Sequence, residues 1–245
     1  MIKKFGRFIR KKIKKFLSIQ SPSTNEEFIA YLRQSGVTVG ERCVFFAPQS
    51  NVIDVTRPYM LEIGDDVQIV YGVSILTHGY DWSVLKGVYG EVLGSAGKVK
   101  IGNNVFLGAN STVLKGVTIG NNVIIGAGSL VNKDIPDNSV AAGNPCRVIM
   151  SLEEYYEKRK AAQLEEAAEL VKCYRQVYNK DPGEKELSEF FFLYSNGQTP
   201  INEHYDKQMH NLGNYEETLE SLKNNSPEFA SMEDFLKHIS SSNSN

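Results

Sequence analysis

Residues 101–136 read IGNNVF-LGANST-VLKGVT-IGNNVI-IGAGSL-VNKDIP, hexapeptides that each open on an aliphatic residue: Ile101, Leu107, Val113, Ile119, Ile125 and Val131. A step of six belongs neither to a helix, with a period of about 3.6, nor to a single strand, with a period of about 2. It is the step of a parallel β-solenoid, in which every hexapeptide supplies a short strand and a tight turn. The aliphatic residue points inward and the coils above and below bury it further. Repetition thus builds a core that no single repeat forms alone. Glycine and asparagine crowd the turns, as in Gly102-Asn103-Asn104 and Gly120-Asn121-Asn122, because they accept left-handed backbone angles at the lowest cost. Three hexapeptides make one coil with three flat sides.

Upstream, Ile63, Ile69 and Ile75 keep the same step, and Val39 and Phe45 begin it. The solenoid is therefore expected from about Val37 to Ile149, with two irregularities. Residues 51–62 (NVIDVTRPYMLE) depart from the strict repeat. Residues 79–98 (GYDWSVLKGVYGEVLGSAGK) interrupt it and hold the only tryptophan of the chain. A long insertion in a repeat protein is a surface loop of the kind that carries function.

The flanks read as helical. Residues 2–17 place Phe5, Phe8, Ile9, Ile13, Phe16 and Leu17 on one stripe with cations on the other face. That pattern suits an anionic membrane surface and equally suits packing on this chain or a second copy. A short helix is expected over 24–35, ending at Gly36. After Ile149 come a capping box at Ser151-Leu152-Glu153-Glu154 and a helix carrying Leu164, Ala168, Val171 and Tyr178. Another helix is expected to open at Asp181-Pro182-Gly183-Glu184 and to end near Asn196-Gly197. Further short helices are expected around 215–224 and 231–239, with a disordered tail from Ser240. The expected organisation is a basic amphipathic helix and linker (1–36), a hexapeptide-repeat domain (37–150) and a helical extension (151–245).

Composition narrows the class. With 41% apolar and 23% charged residues, the chain is that of a globular protein. Cys43, Cys146 and Cys173 are few and widely spaced, so neither a disulfide framework nor a zinc motif follows, and a reducing cytosol is expected. No apolar run is long enough for a membrane span, and the basic start never opens into the apolar stretch of a secretory signal. The net charge of −2 is uneven. Residues 1–15 hold 8 of the 27 basic residues and no acid, leaving 19 against 29 acidic residues beyond them. Nucleic acid is a poor partner for that body.

Of four histidines, only His78 stands where the repeat breaks, in Ser74-Ile75-Leu76-Thr77-His78-Gly79-Tyr80-Asp81-Trp82. A neutral imidazole there can take a proton from a bound hydroxyl near neutral pH. A turn histidine bonded only to backbone is the structural alternative. His204, His210 and His238 lie in helical or linker segments and read as solvated or packed.

The stretch IGNNVFLGANSTVLKGVTIGNNVIIGAGSLVNKDIPDNSVAAGNPCRVI resembles the hexapeptide-repeat O-acetyltransferases, in the branch of galactoside and maltose acetyltransferases and of enzymes that acetylate capsule and lipopolysaccharide sugars. The resemblance covers roughly residues 37–150. It implies a mainly β, left-handed parallel β-helix acting as a homotrimer, with active sites between neighbouring subunits. The handedness comes from the resemblance and runs against the usual right-handed crossover. It further implies acetyl-CoA as cosubstrate, no required metal, and a sugar or glycan acceptor. The family's catalytic histidine falls on His78, a general base for direct acetyl transfer, with an oxyanion donor at Gly108-Ala109. Its coenzyme contacts fall on Ala109, Ala127, Asn132, Lys133 and Arg147. Lys133 and Arg147 suit phosphates, and each is also explicable as an exposed charge on a turn. Asn51 and Asp54 resemble the sugar-facing strand. Tyr80, Asp81 and Trp82 can hold a sugar ring, Asp81 can instead orient His78, and Trp82 can simply pin the loop.

The leading expectation is an O-acetyltransferase of the cytosol, with contact at the inner membrane face through residues 2–17. Acetylation of an antibiotic hydroxyl uses the same groups, and a non-catalytic scaffold is the reading from a different class. Serine acetyltransferase carries its long helical region before the solenoid rather than after it. A solenoid carbonic anhydrase needs three metal-binding histidines on the coils, where only His78 is present.

Overall fold

The computed structural model describes residues 24–197 and 201–241. The helix expected over 2–17 lies outside the described residues. The chain divides into two compact units, residues 1–152 and 153–245.

The first unit is mainly β, with three parallel sheets that the chain visits in fixed rotation. The first sheet holds Thr38–Val39, Leu61–Ile63, Val99–Ile101 and Thr118–Ile119. The second holds Val44–Phe45, Gln68–Ile69, Val105–Leu107, Val123–Ile125 and Ser139–Ala142. The third holds Val52–Ile53, Ser74–Ile75, Thr112–Val113 and Leu130–Val131. Register follows the hexapeptides. Ile101 pairs with Ile119, Leu107 with Ile125 and Val113 with Val131, so each aliphatic meets the one three hexapeptides on. Across the insertion, Ile63 still pairs with Ile101 and Ile75 with Val113. The insertion therefore lengthens one coil without disturbing any sheet. The first coil is also wider than three hexapeptides, since Ile53 pairs with Ile75. That width accounts for the irregular segment 51–62, which contains the 3₁₀ turn Pro58–Met60.

The turns explain the Gly-Asn-Asn spelling. Gly64, Gly102 and Gly120 stack on successive coils, and a Cβ on Gly102 would stand 2.6 Å from Gly120 O. The next residue reaches along the axis: Asp65 N donates to Asn103 Oδ1 at 2.8 Å, Asn103 N to Asn121 Oδ1 at 2.9 Å, and Asn121 N to Asp137 Oδ1 at 2.8 Å. The third position is left-handed, with φ of 53° at Asn104 and 56° at Asn122. Those amides form their own ladder, Asn104 Nδ2 to Asn122 Oδ1 at 3.0 Å and Asn122 Nδ2 to Asn138 Oδ1 at 2.9 Å. Inside, Ile63, Ile69, Ile75, Ile101, Leu107, Ile119 and Ile125 are shielded from solvent almost completely.

The helix Asn25–Ser35 forms as expected, with a Thr24–Glu27 capping box and a left-handed Gly36. It is not part of a linker. Phe28 and Leu32 are buried in the solenoid core, and Phe28 meets Phe45 edge-on with ring centroids 5.0 Å apart. The expected boundary at residue 36 is therefore absent, because this helix covers the open end of the core. At the other end the strand Arg147–Ser151 turns back antiparallel on Ser139–Ala142.

The second unit is helical: Leu152–Tyr178 leads into it, and Glu203–Met209, Tyr215–Lys223 and Met232–Ser241 follow. The helix expected from Asp181 does not form. Residues 184–189 are turns and Phe191–Leu193 is a 3₁₀ turn, held by three-residue steps such as Phe190 N to Leu187 O and Leu193 N to Phe190 O. Leu187, Phe191, Leu193 and Tyr194 are all buried. One α-helical face cannot bury 191, 193 and 194 together, so packing overrides the start signal. Glu203–Met209 is a helix that the sequence pattern does not announce, and the last helix extends through Ser240 and Ser241 into the expected tail. Among the described residues no helix is long and apolar enough to cross a membrane.

Candidate active site

The insertion leaves the coil at a narrow neck. Thr77 is fully buried, His78–Gly79 pairs antiparallel with Ser95–Ala96, and Gly97 N donates to Thr77 O at 3.0 Å. Beyond the neck stands the short helix Trp82–Tyr89, none of whose residues is buried.

The wide first coil delivers Asp54 to this neck. Asp54 follows the strand that pairs Ile53 with Ile75, and its N–H donates to Ile75 O at 3.0 Å. Asp54 is 8% exposed and its carboxylate accepts from five donors. Thr56 gives its N–H at 3.0 Å and its hydroxyl at 2.6 Å, Thr77 gives its N–H at 3.1 Å and its hydroxyl at 2.5 Å, and His78 Nδ1 lies 2.6 Å away. Burial pushes this carboxyl up, but the bonds from Thr56, Thr77 and His78 outweigh it and hold the group well below the usual carboxylate range.

An ionised carboxylate only accepts hydrogen bonds. The network therefore assigns the ring hydrogen of His78 to Nδ1 and leaves the lone pair on Nε2. Nε2 makes no hydrogen bond among the described residues. The ring is partly open, with its side chain 18% exposed. Tyr80 meets it edge-on at 5.5 Å, and Trp82 lies 5.7 Å from Tyr80, both measured between ring centroids. Such a pair can take a proton at Nε2 while the carboxylate fixes the ring and steadies the cation that forms.

This geometry changes three expectations. Asp54 is not a free sugar ligand, because its oxygens are filled by protein donors. Asp81 does not orient His78, because Asp54 occupies Nδ1. The Asp81 carboxylate instead covers Gly79, where its Oδ1 lies in the space a Cβ would need. Asn51 anchors the coil rather than facing outward: its Oδ1 accepts from Val73 N at 2.8 Å, and its Nδ2 is buried without a partner. Tyr80 remains beside the imidazole, with Trp82 next to Tyr80.

A second feature runs along one corner of the later coils. Gly108-Ala109, Gly126-Ala127 and Ala141-Ala142 stack there. Gly108 N donates to Ile125 O at 2.8 Å, Gly126 N to Ala141 O at 2.9 Å, and Gly128 N to Ala109 O at 2.8 Å. A Cβ on Gly108 would meet Ala127 N at 2.6 Å, so Gly108 is small because the coils touch. Arg147 and Asn132 lie near one another on the surface, with Nη1 to Oδ1 at 3.4 Å, and Arg147 Nη1 also donates to Cys146 O at 2.6 Å. Lys133 is exposed next to Asn132.

A profile of the bacterial transferase hexapeptide family (six repeats) matches residues 98–133. Protein CapG of Staphylococcus aureus is 43% identical over 145 residues, which are 59% of this chain and 81% of CapG. The galactoside O-acetyltransferase of Escherichia coli (strain K12) is 36% identical over 147 residues, spanning 54% of this chain and 71% of the relative. The chain belongs to the hexapeptide-repeat acetyltransferase family. As a member it is an acetyl-CoA-dependent acyltransferase. A maltose O-acetyltransferase from Clostridium difficile 630, whose structure is solved, is 32% identical, with 58% of this chain and 83% of that chain covered and a TM-score of 0.40.

Sequence reasoning missed two residues of this cluster, Thr56 and Thr77. The signals were present locally, since Asp54-Val55-Thr56 permits an Asx turn and Thr77 precedes the histidine. Linking them needs the wider register of the first coil, which the strict repeat does not supply.

Proposed function

We propose that the chain moves an acetyl group from acetyl-CoA to a hydroxyl of a sugar or glycan precursor, with His78 as general base. Nε2 takes the proton of the acceptor hydroxyl as its oxygen attacks the thioester carbonyl carbon. The C–S bond then breaks, and the departing sulfur of CoA takes the proton back from the imidazolium. No covalent enzyme intermediate is needed. Asp54, held by Thr56 and Thr77, positions the ring. The oxyanion requires an N–H donor. Gly108 N is committed to Ile125 O, which leaves the N–H of Ala109 for that role. Ala109 and Ala127 give room to the pantetheine arm, Lys133 and Arg147 hold phosphates, and Asn132 supports Arg147.

The finer architecture of this reading is a left-handed coil assembled as a trimer. The insertion exposes Val84, Val88, Tyr89, Val92 and Leu93, an apolar surface suited to a second copy. Three unpaired thiols support a reducing compartment.

The 2.6 Å contact between Asp54 and His78, with Nε2 left open, carries this reading. Its test is acetyl transfer from acetyl-CoA to a panel of sugars, nucleotide sugars and hydroxylated antibiotics, with size analysis of the same sample. Transfer to a sugar by a trimer is the expected result. Transfer confined to antibiotics, or a monomer with full activity, would overturn it.

A further inference from the structure

The helical unit carries an open groove of about 1080 Å³ outside the site above. The helix Leu152–Tyr178 lines one side with Tyr156, Lys160 and Gln163. The helix Tyr215–Lys223 and its flanking residues line it with Asn214, Ser221 and Asn224, and Phe192 adds an aromatic surface. Ligand pockets range over roughly 300–1,000 Å³, so this groove has room for several sugar rings.

Its chemistry is specific. The side chains of Gln163, Asn214, Ser221 and Asn224 make no hydrogen bond among the described residues, so amides and a hydroxyl stand ready as donors and acceptors. Tyr156 is 58% exposed, and the ring face away from Lys160 offers the aromatic surface on which the apolar face of a pyranose packs. Charge is not in excess. Arg159 is held by Glu166 through two bonds of 2.6 and 2.5 Å, Lys160 Nζ stands over one face of the Tyr156 ring at 5.7 Å from its centroid, and Glu217 and Glu228 also line the groove. A phosphate or nucleic acid finds no basic cluster here, and a lipid chain finds too few apolar walls.

We infer that this groove binds a neutral oligosaccharide, a glycan of the same chemical class as the proposed acceptor. The inference deepens the sugar-acceptor reading and rests on it for its biological meaning. The test is calorimetric titration of the full chain with maltoheptaose, cellopentaose and the tetramer of N-acetylglucosamine, repeated for Ser221→Trp and Tyr156→Ala. Both positions are exposed, so both variants should fold. At least one oligosaccharide should bind the parent, and each variant should weaken it about tenfold or more with acetyl-CoA binding and Tm unchanged. Absence of binding by all three, or equal binding by parent and variants, overturns the groove. Oligosaccharide binding lost in Ser221→Trp, in a chain that acetylates no sugar, keeps the groove and removes the sugar-acceptor reading.

Discussion

Asp54 Oδ2 and His78 Nδ1 are 2.6 Å apart, although the two residues come from successive coils. One sheet register produces this contact, and it decides which nitrogen of the imidazole faces outward. Asp54→Asn keeps the shape but can present an N–H to Nδ1, which favours the wrong tautomer. Acetyl transfer should fall at least about tenfold, with the KM for acetyl-CoA unchanged. Steady-state kinetics check this, and full activity in Asp54→Asn would separate the carboxylate from the reaction.

The same carboxyl sets a pH dependence of stability. It binds its proton more weakly in the folded chain than its ordinary value of 3.8 implies. Its stabilising contribution is therefore whole above about pH 4 and fades as pH falls through that value toward the lower folded one. Urea midpoints at pH 6 and pH 3 should drop further in the parent than in Asp54→Asn. Equal drops would contradict the assignment.

Two glycines should respond with opposite signs. Gly102→Ala places a methyl 2.6 Å from Gly120 O and should destabilise the chain by about 1–3 kcal/mol. Gly87 lies in the exposed helix Trp82–Tyr89, and a Cβ there meets nothing within 4 Å. Gly87→Ala should stabilise that helix by about 0.5–1 kcal/mol. The helix content of the insertion, followed by hydrogen exchange, reports the second change, and urea denaturation reports the first.

Asn122 combines a left-handed backbone with an amide ladder. Asn122→Gly loses the ladder alone, whereas Asn122→Ala also forces a Cβ into the left-handed region. The alanine variant should be less stable than the glycine variant by about 1–2 kcal/mol. Equal midpoints would show that the backbone angle is not what this position selects.

The repeat is legible because each inward aliphatic and each turn amide obeys one local rule, and coils of three hexapeptides obey it without exception from Ile101 to Val131. His78 is legible for the converse reason, as a titratable residue at the break in that rule. Asp54 reads from sequence as a sugar ligand because its partners, Thr77 and His78, come from the next coil. The helix expected at Asp181 fails because its opening residues carry a valid local signal, while Phe191, Leu193 and Tyr194 must all reach one core. The insertion helix stays hidden because Gly79, Gly87, Gly90 and Gly94 mark the segment as a loop, although Trp82, Leu85, Val88 and Tyr89 keep helical spacing.

Acetyl transfer to a sugar acceptor by His78→Ala, with CoA binding followed in the same samples, tests the central claim most directly. Turnover should fall by about 10²–10⁴ while CoA binding and assembly stay as in the parent. Turnover equal to the parent's would contradict the assignment of His78 as the base.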